Sequence, residues 1–134
     1  MTTNPTPSAN RLRFRAWEKD VGMMIDVTQI QYDDWGDIDL VLGYAKEDKE
    51  PKTFRNTSAL HIMQSTGFRD KNGKEIFEGD VVEYVRNPTV RKVINFGEII
   101  NDEYGLQGYG WNIVCSEEYE IIGNAYEHTD LLPN

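Results

Sequence analysis

The chain has 134 residues, a formal net charge of −9 and one cysteine, Cys115. That length suits one domain, or one domain with a small appended lobe, and can bury a core without disulfides or metals. A lone cysteine excludes an internal disulfide and any multi-cysteine zinc site, and the negative balance repels phosphate at long range, which disfavours an electrostatic grip on nucleic acid.

The composition is polar, with 39% apolar residues, but five Phe, three Trp and seven Tyr argue against disorder. No stretch resembles a signal peptide or a membrane span, so a soluble cytoplasmic protein is expected.

Residues 1–10 hold two prolines among Thr, Ser and Asn. They read as a flexible N-terminal tail. Arg11–Trp17 then alternates. Leu12, Phe14 and Ala16 face one way; Arg11, Arg13, Arg15 and Trp17 face the other, as a half-buried strand requires. The second face is either a ligand-facing patch or a set of arginines that pair with local carboxylates and cover the Trp17 ring. Glu18–Gly22 is a turn. Met23–Tyr32, with Ile25, Val27 and Ile30, is the second strand, and a hairpin with the first is the simplest topology.

Asp33-Asp34-Trp35-Gly36-Asp37-Ile38-Asp39 is the densest acidic cluster. It fails as a calcium loop: counted from Asp33, Ile38 stands where glycine is needed and Tyr44 where glutamate is needed. Counted from Asp37, Leu42 replaces the glycine. A solvated acidic turn is expected. Leu40–Tyr44 is a strand, and the charged segment Ala45–Thr53, with Pro51, an exposed loop.

Met63–Val82 organises the rest. His61–Ser65 is compatible with a strand. Asp70-Lys71-Asn72-Gly73 then concentrates turn chemistry, and Asn-Gly between β-compatible runs is a strong hairpin signal. Ile76-Phe77 is a short apolar return. Glu78-Gly79-Asp80 is a second turn, in which Gly79 takes the backbone angle other residues resist and Asp80 accepts a backbone N–H. Val81–Val85 is a β-branched strand. The Asp70–Lys74 loop either only reverses the chain or is a rigid polar loop shown to a partner.

Asn87-Pro88 reads as a turn, and Val90–Ile100 as a long strand bent at Gly97. Asn101–Gly105 is a hairpin loop and Leu106–Val114 the return, with Trp111 and Ile113 on one face. Ser116–Glu118 is a turn. Tyr119–Tyr126 is the last strand, kinked at Gly123-Asn124. Thr129 caps a final helical turn carrying Leu131 and Leu132. Short strands, bend-permitting glycines and no long helical period predict a mainly β fold with minor α, curling its antiparallel sheets into a small barrel.

Three segments carry a family resemblance: Arg13-Phe14-Arg15-Ala16-Trp17, the stretch TGFRDKNGKEIFEGDVV ending at Val82, and Glu120-Ile121-Ile122-Gly123-Asn124-Ala125-Tyr126-Glu127 with Asp130-Leu131-Leu132. Together they resemble the YopX-like family of phage and prophage proteins. The resemblance runs from Leu12 to Leu132, while residues 23–59 match no pattern and read as the place for family-specific insertion. It implies a single domain over residues 11–134, with an N-terminal β lobe at 11–62 and an SH3-like barrel lobe at 63–134, encoded by a mobile element. It brings no established activity and no catalytic residue.

The residues agree on that last point. There is no phosphate-binding glycine loop, no Gly-x-Ser-x-Gly elbow and no His-Glu-x-x-His, and His61 and His128 form no nucleophile–base set. No catalytic residue, cofactor, metal or small-molecule substrate is therefore expected. The expected function is a non-enzymatic module that binds a protein or its own copies through aromatic surface, with Trp17, Trp35, Tyr104, Tyr109 and Trp111 in supply. The expected interaction surface is Arg13, Arg15, Trp17, Asp70, Lys71, Asn72, Gly73, Lys74 and Trp111. Two alternatives remain. One is nucleic-acid binding through Arg11, Arg13 and Arg15 with Trp17, or through Arg86, Arg91 and Lys92. The other is an acidic imitation of DNA that occupies a host enzyme.

Overall fold

A computed structural model describes residues 12–45, 50–55, 57–101 and 106–132. The expected tail at 1–10, Arg11, part of the Ala45–Thr53 loop, and residues 102–105 of the Asn101–Gly105 loop with Tyr104 lie outside the described residues. The chain is mainly β, 59% strand against 9% helical, and among the described residues every strand pair is antiparallel. It divides into two compact units, Arg11–Gln64 and one that contains Ser65–Asn134.

In the Arg11–Gln64 unit, β1 (Phe14–Glu18) lies between β2 (Met23–Tyr32) and β5 (Leu60–Arg69), with β3 (Ile38–Ala45) and β4 (Lys52–Phe54) beyond β2. The alternation around Ala16 selects the register. Ala16 stands opposite Ile25 on one side and Ile62 on the other, and Ala16 and Ile25 are both fully buried. Leu12 departs from that alternation and is exposed, because it precedes β1 and has no neighbouring strand to cover it. Glu18 takes the next inward position instead. Its carboxylate accepts from Asp20 N at 2.8 Å and Val21 N at 2.9 Å, so a buried charge closes the β1–β2 turn. Gly43 lets β3 approach β2: a Cβ there would fall 2.6 Å from Ile25 Cγ2.

The Ser65–Asn134 unit is built on β7 (Asp80–Tyr84), the middle strand of the order β11-β7-β8, with β8 (Asn87–Val93) and β11 (Tyr119–Asn124) at its sides. Val81 and Val82 are both fully buried, so both faces of this strand are covered. Ile76 of β6 (Glu75–Phe77) packs with Val82, Ile94 and Ile113 in one cluster, and Trp111, Tyr119 and Ile121 pack against it. Burying each such aliphatic side chain contributes about 1.5–3 kcal/mol before chain entropy is counted. A ribbon of β9 (Phe96–Asn101) and β10 (Leu106–Trp111) completes the unit.

Among the described residues these strands form no closed barrel. The expected long strand over 90–100 is two strands, broken at Ile94-Asn95 and not at Gly97. Ile94 is the cause. Its side chain is in the core while its backbone pairs with the Gly79-Asp80 turn, through Gly79 N to Ile94 O at 2.8 Å and Ile94 N to Asp80 O at 2.9 Å. The expected turn at Asn87-Pro88 falls at Val85-Arg86, and Pro88 sits in an outer strand, where its missing N–H costs no ladder bond. The kink expected in the last strand is a register shift between Ile121 and Gly123. In the closing 3-10 turn, Thr129–Leu131, the N-cap position falls on His128, which makes no side-chain capping bond, and Thr129 is the first residue of the turn itself.

Candidate interaction surfaces

β1 is an interior strand, and this decides what its arginine face can do. Arg15 stands opposite Asp26 of β2 and Met63 of β5, and Trp17 stands opposite Met24 and His61. Arg15 and Trp17 are half-buried, Arg13 is exposed, and all three are already engaged by neighbours. Opposite charges across adjacent strands stabilise a sheet. That register places Arg15 and Asp26 side by side on one face of the sheet.

The Asp70–Lys74 loop is a clasp. Asp70 is only 4% exposed. Its Oδ1 accepts from Asn72 N and Lys74 N, each at 2.9 Å, and its Oδ2 accepts from Ile121 N of β11 at 3.0 Å. Lys71 N donates to Tyr119 O at 2.9 Å, also on β11. Gly73 has φ 79°, and its carbonyl accepts from Arg69 Nη1 at 2.8 Å. Lys71 and Asn72 reach Glu120 at 3.5 and 3.4 Å. The loop therefore folds back on β11. Of the expected surface here, Asp70 faces inward, Gly73 shapes the turn, and Lys71, Asn72 and Lys74 remain exposed.

Trp111 also turns inward. It packs on the Ile76–Val82–Ile94–Ile113 cluster and meets Phe96 edge-on, with ring centroids 5.2 Å apart. The ring is half-buried there, part in the core and part at the surface. The basic residues after β7 are each anchored: Arg86 to Glu118 at 3.1 Å, Arg91 to Glu83 at 3.2 Å, and Lys92 over the Tyr119 ring at 4.7 Å. Partial burial lowers the Lys92 ammonium pKa from its ordinary value.

Among the described residues the most exposed aromatic is Trp35, 85% exposed at the tip of the β2–β3 hairpin. Its backbone is held. Asp33 Oδ1 accepts from Trp35 N and Asp37 N, both at 2.9 Å, Asp33 N donates to Asp37 O at 2.8 Å, and Gly36 has φ 87°. Tyr109 of β10 is displayed as well, at 77%. Sequence reasoning placed Trp35 in a turn but did not separate it from Trp17 and Trp111; the signal was the Asp-x-Trp-Gly-Asp spacing, which puts an indole where no strand can cover it. Among the described residues no cluster of His, Cys, Asp and Glu could hold a metal ion, and no helix is long and apolar enough to cross a membrane.

The YopX protein family model matches residues 13–133. The chain belongs to that family. No curated protein matches it. Its fold is similar to the crystal structure of protein EF1440 from Enterococcus faecalis, with TM-score 0.58 and 25% sequence identity over 92% of this chain and 99% of that one. The three YopX-like segments take recognisable places: the first supplies β1, the second runs from β5 through β7, and the third covers β11 and the turn after it. Their polar residues close reversals. Asp80 Oδ2 accepts from Phe77 N at 2.8 Å across Gly79, which has φ 87°. Asn124 Oδ1 accepts from Tyr126 N and Glu127 N at 3.0 and 2.8 Å, and Asn124 N donates to His128 Nδ1 at 3.1 Å. In this YopX protein the signature is made largely of clasps.

Proposed function

We propose that this YopX protein is a non-enzymatic phage or prophage accessory protein that acts by binding a protein or copies of itself, in the cytoplasm of the host cell. The observation that carries this reading is Trp35: an indole exposed at a hairpin tip whose backbone is pinned by Asp33. Exposed tryptophans on ordered backbone are costly to leave in water and are enriched among the residues that dominate interfaces. The SH3-like character of the Ser65–Asn134 unit belongs to the same reading, since its short strands and bent β11 would give a curled scaffold for contact surface.

Affinity capture from cells that carry the element, beside size measurement of the purified protein, tests the reading. Capture or self-association that Trp35→Ala abolishes supports it. A protein that neither associates nor captures anything through Trp35 is not such a module. Salt-sensitive binding of single- or double-stranded DNA at low salt would favour the nucleic-acid alternative instead.

A further inference from the structure

Charge is segregated along this chain. From Asp20 to Ala45 there are six carboxylates, Asp20, Asp26, Asp33, Asp34, Asp37 and Asp39, and no lysine or arginine. From Val85 to Gly97 there are three cations, Arg86, Arg91 and Lys92, and no carboxylate. The acidic stretch displays Trp35 and Tyr32; the basic one displays Val85 and Val90. β8 is the outer strand of its sheet, and its residues from Asn87 to Arg91 are exposed without a break. Each surface thus supplies the charge and the apolar contact that the other lacks.

We propose that the Trp35 hairpin tip of one copy docks on the Val85–Lys92 edge of a second copy. The inference rests on the interaction-module reading and names its partner. Arg86 and Arg91 are available to such a partner. Their pairs with Glu118 and Glu83 lie at the surface, where ion pairs hold weakly, and a guanidinium has donors to spare for another carboxylate. A second cluster of cations, Arg69, Lys71 and Lys74, fits less well: Asp70 and Glu75 lie in the same stretch, and Arg69 is half-buried with its Nη1 on the Gly73 carbonyl. Pro88 and the strand's cations also oppose direct β8–β8 pairing, which leaves this edge for side-chain docking. The two surfaces differ, so the contact is head-to-tail: a copy docked through one surface still offers the other, and assembly closes into a ring or continues as a chain.

Light scattering on the purified full chain tests this. Wild type should gain mass with concentration at low salt and lose it as salt rises, because the Debye length shrinks from about 10 Å at 0.1 M to about 3 Å at 1 M. Trp35→Ala should weaken association by about thirtyfold or more, the scale of an interface hot spot. The double variant Arg86→Glu/Arg91→Glu should also remain monomeric, with circular dichroism and melting confirming that it is folded. Mixed in equal amounts, the two variants should form a heterodimer and nothing larger, since only one intact Trp35 tip and one intact β8 edge can meet. A monomeric wild type, assembly by either variant alone as strong as that of wild type, or a mixture that stays monomeric would overturn the proposal. So would loss of assembly in Lys71→Glu/Lys74→Glu with none in the β8 variant. If wild type is monomeric yet captures another protein through Trp35, self-docking fails and the interaction-module reading stands; if neither occurs, both fail.

Discussion

Replacing Asp70 by alanine removes the acceptor that three backbone N–H groups share, those of Asn72, Lys74 and Ile121. Hydrogen bonds to a charged group contribute about 1.5–3 kcal/mol each, so the three together set an upper range of about 4.5–9 kcal/mol. The full sum will not be lost. Asn72 and Lys74 are exposed, and their amides can turn to water; Ile121 is half-buried and is the amide left worst off. The expected loss for Asp70→Ala is about 3–5 kcal/mol, a large share of the stability of a domain this size. Asp70→Asn separates the two jobs of the side chain. Its carbonyl oxygen can still serve Asn72 and Lys74, but its NH₂ then points at the Ile121 N–H, donor against donor. It should cost about half as much, roughly 1.5–3 kcal/mol, and keep the turn while releasing β11. Urea unfolding gives the energies, and amide hydrogen exchange gives the location: in Asp70→Asn, Ile121 should lose protection while Lys74 keeps it. An Asp70→Ala protein within about 1 kcal/mol of wild type would refute the clasp. So would an Asp70→Asn protein that opens the turn and leaves Ile121 protected.

Gly43→Ala should destabilise by about 2–3 kcal/mol in urea unfolding, because the new Cβ meets Ile25 Cγ2 at 2.6 Å and the Asp26 backbone, which cannot step aside as a side-chain end can. Gly123→Ala should also cost about 1–3 kcal/mol, since the new Cβ meets Leu131 Cδ1 at 2.7 Å and the His128 ring, whose Nδ1 accepts from Asn124 N and cannot step aside without losing that bond; its signature is loss of amide protection at Asn124. Trp35→Ala should leave unfolding energy within about 0.5 kcal/mol of wild type, because the ring contributes almost nothing to either core; a large loss of stability would show that the indole is covered.

Much of the fold was legible because the chain marks its reversals with residues whose chemistry is local. Gly79 takes the left-handed angle its turn demands, Asp80 accepts the N–H expected of it, and Met23–Tyr32 is a strand over the whole predicted range. The misreadings share a different cause. Ile94 breaks a strand because its backbone pairs with a turn distant in sequence, and no periodicity within residues 90–100 carries that fact. The surface was read less well for the same reason. Asp70 looked presentable on local grounds, and β11 claimed it, while the Ile76 cluster holds part of the Trp111 ring. Whether a polar turn is displayed or clasped depends on what docks against it, and that is settled by long-range pairing.

The same logic separates the two kinds of information in this chain. Four buried polar residues, Glu18, Asp70, Asp80 and Asn124, each accept backbone N–H groups at a reversal. Three of them, Asp70, Asp80 and Asn124, lie in the segments by which the sequence resembles its family. A signature built from such residues specifies how the chain turns, because an unmet buried carboxylate or amide is expensive wherever it occurs. It does not specify what the surface meets. Trp35 lies outside those segments, on a hairpin whose backbone Asp33 holds without help from either core. The tip can therefore change without disturbing the clasps, and the clasps fix a fold that leaves the tip free to differ. The contact proposed at Trp35 therefore draws on residues outside those three segments, within the wider family match over residues 13–133.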